Sequence, residues 1–288
     1  DQRYVLLGSA SRDLIAQSSE SLAGRIAYHH LSGFRLEEIG AENAESLWLR
    51  GGYPRSYLAT TDQESNLWRR NYITTFLERD IPQLGIRIPA RTLRRFWTML
   101  SHYHGQTLNY SELAHSFGIS DATVRRYIEI LEGTLMVRLL QPWHMNTRKR
   151  LVKSPKLYLR DSGILHSLHA IETLPQLLSH NKLGASWEGF ALEELIRALD
   201  LQDEEAYFWA THGGAELDLL FQRGGRSWGV EFKFSDAPKL TRSMRIALKD
   251  LSLERLWVVH PGAAAYPLHD RVMVLPLTRA GEIAEQVC

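Results

Sequence analysis

The stretch from Glu216 to Phe234 constrains this chain more than any other. Two apolar runs, residues 216–221 and 227–234, flank Gly224-Gly225, a dipeptide that reaches the positive φ of a tight turn at no steric cost. The reading is strand, turn, strand, and a strand sends successive side chains to opposite faces. Asp218 therefore shares a face with Glu216, and Glu231 shares one with Lys233, while Val230, Phe232 and Phe234 point the other way. A hairpin of this kind can set Asp218 beside Glu231. Glu188 begins an expected helix over residues 187–199 and can approach from its end. Two or three carboxylates and one lysine suit phosphodiester hydrolysis. Hard Mg²⁺ takes oxygen ligands and keeps waters, one of which becomes the nucleophile. A lysine can orient or deprotonate that water, or offset charge developing on phosphate. Alternation of Glu231-Phe232-Lys233 alone is also what an ordinary half-exposed strand shows. Its coincidence with Asp218, Glu188 and the Gly-Gly turn gives it weight.

The strand pair sits in a chain of 288 residues, 44% hydrophobic and 23% charged, which is ordinary globular composition. No run of about 18 apolar residues occurs, so no membrane partner is expected. A single cysteine, Cys288, excludes an intramolecular disulfide framework and a multi-cysteine zinc site. No signal peptide is evident, so a cytoplasmic location is expected. The first residue is Asp1 rather than methionine, and the chain is expected to be a piece of a longer protein.

Charge is unevenly spread. Residues 91–160 carry 12 basic and 4 acidic side chains, whereas residues 161–288 carry 12 basic and 18 acidic. A basic block inside a nearly neutral chain is the pattern of a nucleic-acid footprint, or of a solubilising surface. Helices are expected over residues 93–103, 110–117 and 121–131, with Gly118-Ile119-Ser120 as a tight turn and Ser120 as an N-cap. Strands over 137–140 and 157–159 then flank a basic loop holding Arg148, Lys149, Arg150, Lys153 and Lys156. Two helices joined by a short turn, then a basic hairpin, read as a winged helix-turn-helix over residues 86–160. Arg125 and Arg126 fall on its recognition helix and the hairpin cations on its wing, so DNA is the expected partner. A protein-docking module of the same shape is the alternative. Before it, a helix is expected over residues 63–79, and the Pro82 and Pro89 neighbourhood reads as a linker.

Glu188, Asp218 and Glu231-x-Lys233 together resemble the PD-(D/E)xK nuclease superfamily. The resemblance implies an α-β-β-β-α-β restriction-endonuclease-like domain over residues 161–288, with Asp218, Glu231 and Glu188 as Mg²⁺ ligands. A wider resemblance rests on Leu6-Leu7-Gly8-Ser9-Ala10-Ser11, Ser21-Leu22-Ala23-Gly24-Arg25, Gly51-Gly52-Tyr53-Pro54, Phe76-Leu77-Glu78-Arg79-Asp80 and Gly184-Ala185-Ser186-Trp187-Glu188-Gly189-Phe190. These are similar to a bacterial and archaeal family of predicted AAA-type ATPases, in which a P-loop module precedes a winged helix and a nuclease-like domain. It implies an α/β multidomain chain in which residues 1–85 are the C-terminal edge of the ATPase module. Ser9 is then a polar sensor, Arg25 a nucleotide-sensing arginine, and the ATPase part a possible route to a homo-oligomer.

One departure is decisive for nucleotide. No G-x-x-x-x-G-K-[ST] occurs in the 288 residues, so the backbone cradle for β- and γ-phosphates is missing and ATP is a cofactor only of a longer protein. This chain should show neither tight ATP binding nor hydrolysis. Calorimetric ATP binding by it would contradict the reading.

Overall fold

Residues 31–144 and 151–287 are described by the structure, a computed structural model. Ser9, Arg25, the strand expected at residues 4–7 and the wing cations Arg148, Lys149 and Arg150 lie outside the described residues. In chain order come α1 (Ala44–Arg50), α2 (Asp62–Thr75), α3 (Ala90–Ser101), β1 (Gln106–Thr107), α4 (Tyr110–Phe117), α5 (Asp121–Gly133), β2 (Val137–Pro142) and β3 (Lys156–Leu159). Then follow α6 (Ser162–Leu168), α7 (Leu183–Ala198), β4 (Tyr207–Ala210), β5 (Glu216–Arg223), β6 (Arg226–Phe232), α8 (Arg242–Asp250), β7 (Arg255–His260), β8 (Tyr266–His269), β9 (Val272–Pro276) and α9 (Gly281–Val287).

The helical part is built as the spacing requires. Asn109 caps α4 and Ser120 caps α5, each side chain accepting an N–H of the first turn. Val124, Ile128 and Leu131 of α5 bury against Leu93, Phe96, Trp97 and Leu100 of α3, and Leu157 and Leu159 of β3 close that core. The 82–89 stretch, expected as a linker, does not divide it. Phe76, Leu77 and Ile81 are buried in the same cluster as Phe96 and Trp97.

The strands form one nine-stranded mixed sheet among the described residues, ordered β1-β3-β2-β4-β5-β6-β7-β9-β8. The antiparallel β2–β3 hairpin joins the larger half through a parallel β2–β4 pairing, Gln141 with Tyr207 and Pro142 with Phe208. Along β7, Leu256 and Val258 face the core under α8, while Trp257 and Val259 face the core under α7. Helices therefore cover both faces there, and β7 reads as a continuous apolar run. Gly224 and Gly225 make the β5–β6 turn with φ of 62° and 72°, the backbone of a two-residue hairpin loop. Strand β8, absent from the expected elements, carries Pro267. It lies at the sheet edge, where a missing N–H is tolerated. Among the described residues, no helix is long and apolar enough to cross a membrane.

Helix α7 is fixed from two sides. Trp48 of α1 sets its ring edge-to-face against that of Trp187, centroids 5.4 Å apart, and its Nε1 donates to Ser186 Oγ at 2.9 Å. From the helical part, His104 lies across Gly189, so close that a Cβ there would fall 2.1 Å from His104 Nε2. His104 Nδ1 accepts from Leu159 N–H at 2.9 Å, and burial depresses its pKa to about 3, so the ring stays neutral. Gly189→Ala should thus push α7 and β3 apart at a cost of about 1–3 kcal/mol. A lowered thermal midpoint is expected, and an unchanged one would contradict this packing.

Candidate functional site

Period-two geometry in β3 governs the site. Leu157 and Leu159 point into the helical core, while Lys156 and Tyr158 point across toward α7. Glu188, in the second turn of α7 rather than at its start, meets both. Tyr158 Oη donates to Glu188 Oε1 at 2.6 Å, and Lys156 Nζ lies 3.4 Å from the same oxygen. Lys156 also pairs with Asp218 Oδ1 at 3.5 Å and with Glu216 at the rim. The other Asp218 oxygen accepts from Phe232 N–H at 3.0 Å, so β6 aims the carboxylate. Continuing the β5–β6 register one step past Leu219–Val230 sets Asp218 opposite Glu231. Glu231 Oε1 holds Lys233 Nζ at 2.7 Å, while its Oε2 is buried with no hydrogen-bond partner among the described residues.

The structure therefore brings together Glu188, Asp218, Glu231 and Lys233, as the spacing implies. It adds Lys156 and Tyr158. Lys156, expected as a wing cation, is only 4% exposed and belongs to the acid cluster. A buried ammonium costs several kcal/mol unless paired, and the carboxylates around it supply that pairing. Alternation in Lys156-Leu157-Tyr158-Leu159-Arg160 was the signal available for it. Arg125 and Arg126 are exposed on α5, with the Arg125 guanidinium 3.8 Å from the Tyr110 ring centroid, and Lys153 is exposed before β3.

Electrostatics follow from this crowding. Burial, then the Asp218 charge, push Glu188 up to about 7 and Glu231 up to about 8, against the partial relief of Lys156 and Lys233 respectively. Burial opposes the charge on Lys156, but Tyr158, Glu188, Asp218 and Glu216 outweigh it and hold the ammonium protonated well above the ordinary lysine range. Burial and Glu188 likewise hold the Tyr158 phenol protonated. Among the described residues, no three His, Cys, Asp or Glu groups are gathered closely enough to hold a metal ion. The donors are nevertheless oxygens, the kind a hard divalent cation takes. Its ligands would be the carboxylates of Asp218, Glu231 and Glu188, once drawn together, and Glu231 Oε2 is a buried acceptor with no partner among the described residues.

Raised carboxyl groups make stability depend on pH. Folded Glu188 and Glu231 keep protons that the unfolded chain has lost, so their contribution falls as pH rises from about 4.5 through about 8. Glu231→Gln should raise the thermal midpoint at pH 8 by on the order of 2 °C and leave it unchanged near pH 4.5. An equal shift at both pH values would contradict the assignment.

Residues 41–175 match the profile of a domain of unknown function, DUF8612, and residues 183–280 match that of another domain of unknown function, DUF4143. Uncharacterized proteins of Mycobacterium bovis and Mycobacterium tuberculosis are each 50% identical to the chain over 274 residues, 95% of this chain and 62% of theirs. The chain thus spans less than two thirds of the length of these curated relatives. No solved structure matches it. Lys156 and Tyr158 fall in the first profile, and Glu188, Glu216, Asp218, Glu231 and Lys233 in the second, so the acid cluster is assembled from both.

Proposed function

We propose that the acid cluster is the catalytic centre of a metal-dependent nuclease of the PD-(D/E)xK kind, acting on DNA. The observation that carries this is the meeting of Glu188, Asp218, Glu231 and Lys233, from three separate elements, around a buried and unsatisfied Glu231 oxygen. Strongly shifted acids beside specific charge partners are what catalytic sites arrange, and they make this cluster a functional-site candidate. Asp218, Glu231 and Glu188 would hold Mg²⁺, which when bound supplies an activated water and charge neutralisation at phosphate. Lys233, 41% exposed at the side chain, is placed to orient that water or meet the developing phosphate charge. Glu188, poised near neutrality, can hold or release a proton at Oε1 as Tyr158 tightens or relaxes its hydrogen bond.

The substrate reading rests on the helical part. Two helices joined by a short turn and followed by an antiparallel hairpin, α4, α5 and β2–β3, support the winged-helix reading, and Arg125, Arg126 and Lys153 are exposed on it. Those cations would grip phosphates and aim the duplex. The resemblance to AAA-type ATPases points to an ATPase module in a longer protein, for which the greater length of the relatives leaves room, and ATP would act there.

A second reading has its own observation. Lys156 stands within ion-pair reach of Glu188, Glu216 and Asp218, as it would in a DNA-binding or scaffolding protein whose nuclease-like domain no longer cuts. Plasmid and single-stranded DNA with Mg²⁺ or Mn²⁺ separate the two. Cleavage is expected from the wild type and a loss of about 100-fold or more from Glu231→Ala. No metal-dependent cleavage, or cleavage unchanged in Glu231→Ala, would favour the scaffold.

A further inference from the structure

Five carboxylate oxygens of the cluster differ in what they receive. Glu188 Oε1 receives Tyr158 and Lys156. Asp218 Oδ2 receives the Phe232 N–H, and its Oδ1 faces Lys156. Glu231 Oε1 receives Lys233, and Glu231 Oε2 receives nothing from the described residues. One position therefore satisfies Glu188 and Asp218 together, and an ammonium stands in it.

We propose that Lys156 is the resident cation of this cluster, and that a divalent ion gains Glu188 and Asp218 only by displacing its Nζ. The inference rests on the metal-binding reading above and adds the residue that controls it. Three observations support it. Lys156 is buried, so its charge cannot retreat into water without a partner. Such a partner exists at the rim, because Glu216, 45% exposed at the side chain, already pairs with Nζ and can keep it when the other two acids are taken. The lysine stem is flexible while its backbone is pinned, paired with Thr107 of β1 on one side and Leu140 of β2 on the other. A shift of Nζ toward Glu216 is thus the available movement, and it needs no change in the sheet.

The residue that yields belongs to β3, whereas the acids it releases belong to α7 and β5.

Mn²⁺ calorimetry on the wild type, Lys156→Met, Lys156→Arg and Glu231→Ala tests this without any cleavage assay. Lys156→Met should bind Mn²⁺ on the order of 10-fold tighter than the wild type, the size of a typical coupling between competing ligands. Lys156→Arg should stay near wild-type affinity, and Glu231→Ala should lose binding. Equal or weaker binding by Lys156→Met, with Glu231→Ala still impaired, would overturn the competition and leave the metal site standing. No Mn²⁺ binding by any of the four would overturn the metal reading itself. Should Lys156→Met not fold, acetic-anhydride labelling of the wild type decides. Saturating Mn²⁺ should expose Lys156 to acylation as it moves to the rim, and unchanged protection would contradict the proposal.

Discussion

A buried ammonium between carboxylates of two different elements is the interaction on which the rest depends. Lys156 reaches from β3 to Glu188 on α7 and to Asp218 and Glu216 on β5. Each of these charges alone would be costly in a dry site. Together they offset much of one another's desolvation, and removing one partner leaves the others uncompensated, at about 3–5 kcal/mol in comparable buried pairs. The same logic operates one turn further along α7. Glu193 there is held ionised against Arg138 and Arg160, its pKa depressed to about 2 because the arginines outweigh burial. Hairpin β2–β3 is thus pinned to α7 by charge at two points, and its parallel pairing with β4 continues the sheet beneath.

These pairs change the meaning of the charge distribution. The basic middle of the chain and its acidic last part resemble a nucleic-acid footprint beside a compensating domain. Three of the middle's cations, Arg138, Lys156 and Arg160, are turned inward onto acids of the last part. Those charges serve the junction. The cations left for a polyanion are fewer, and Arg125, Arg126 and Lys153 are among those exposed.

Much of the acid cluster is legible in the sequence because it lies on a hairpin. Spacing by two, a glycine pair at the turn and a preceding helix bring Asp218, Glu231, Lys233 and Glu188 together by local rules alone. The caps at Asn109 and Ser120 obey local rules too. What local rules miss is partnership across the chain. Lys156 sits among basic neighbours and reads as a wing cation until the β3 alternation is set against α7. Helix α7 begins before Trp187 because Gly184 fits in its exposed first turn, which moves Glu188 inward from the helix end. Ile81 looks like linker beside two prolines, yet an apolar pocket under Phe76 and Trp97 was waiting for it.

The central claim is that the cluster is a divalent-metal site whose place is kept by Lys156. Anomalous diffraction from crystals soaked in Mn²⁺ tests it most directly. The account predicts one anomalous peak against Asp218, Glu231 and Glu188, with Lys156 Nζ withdrawn from Glu188 and Asp218 and still paired with Glu216. Crystals with no peak at the cluster and Lys156 still bridging Glu188 and Asp218 would contradict it.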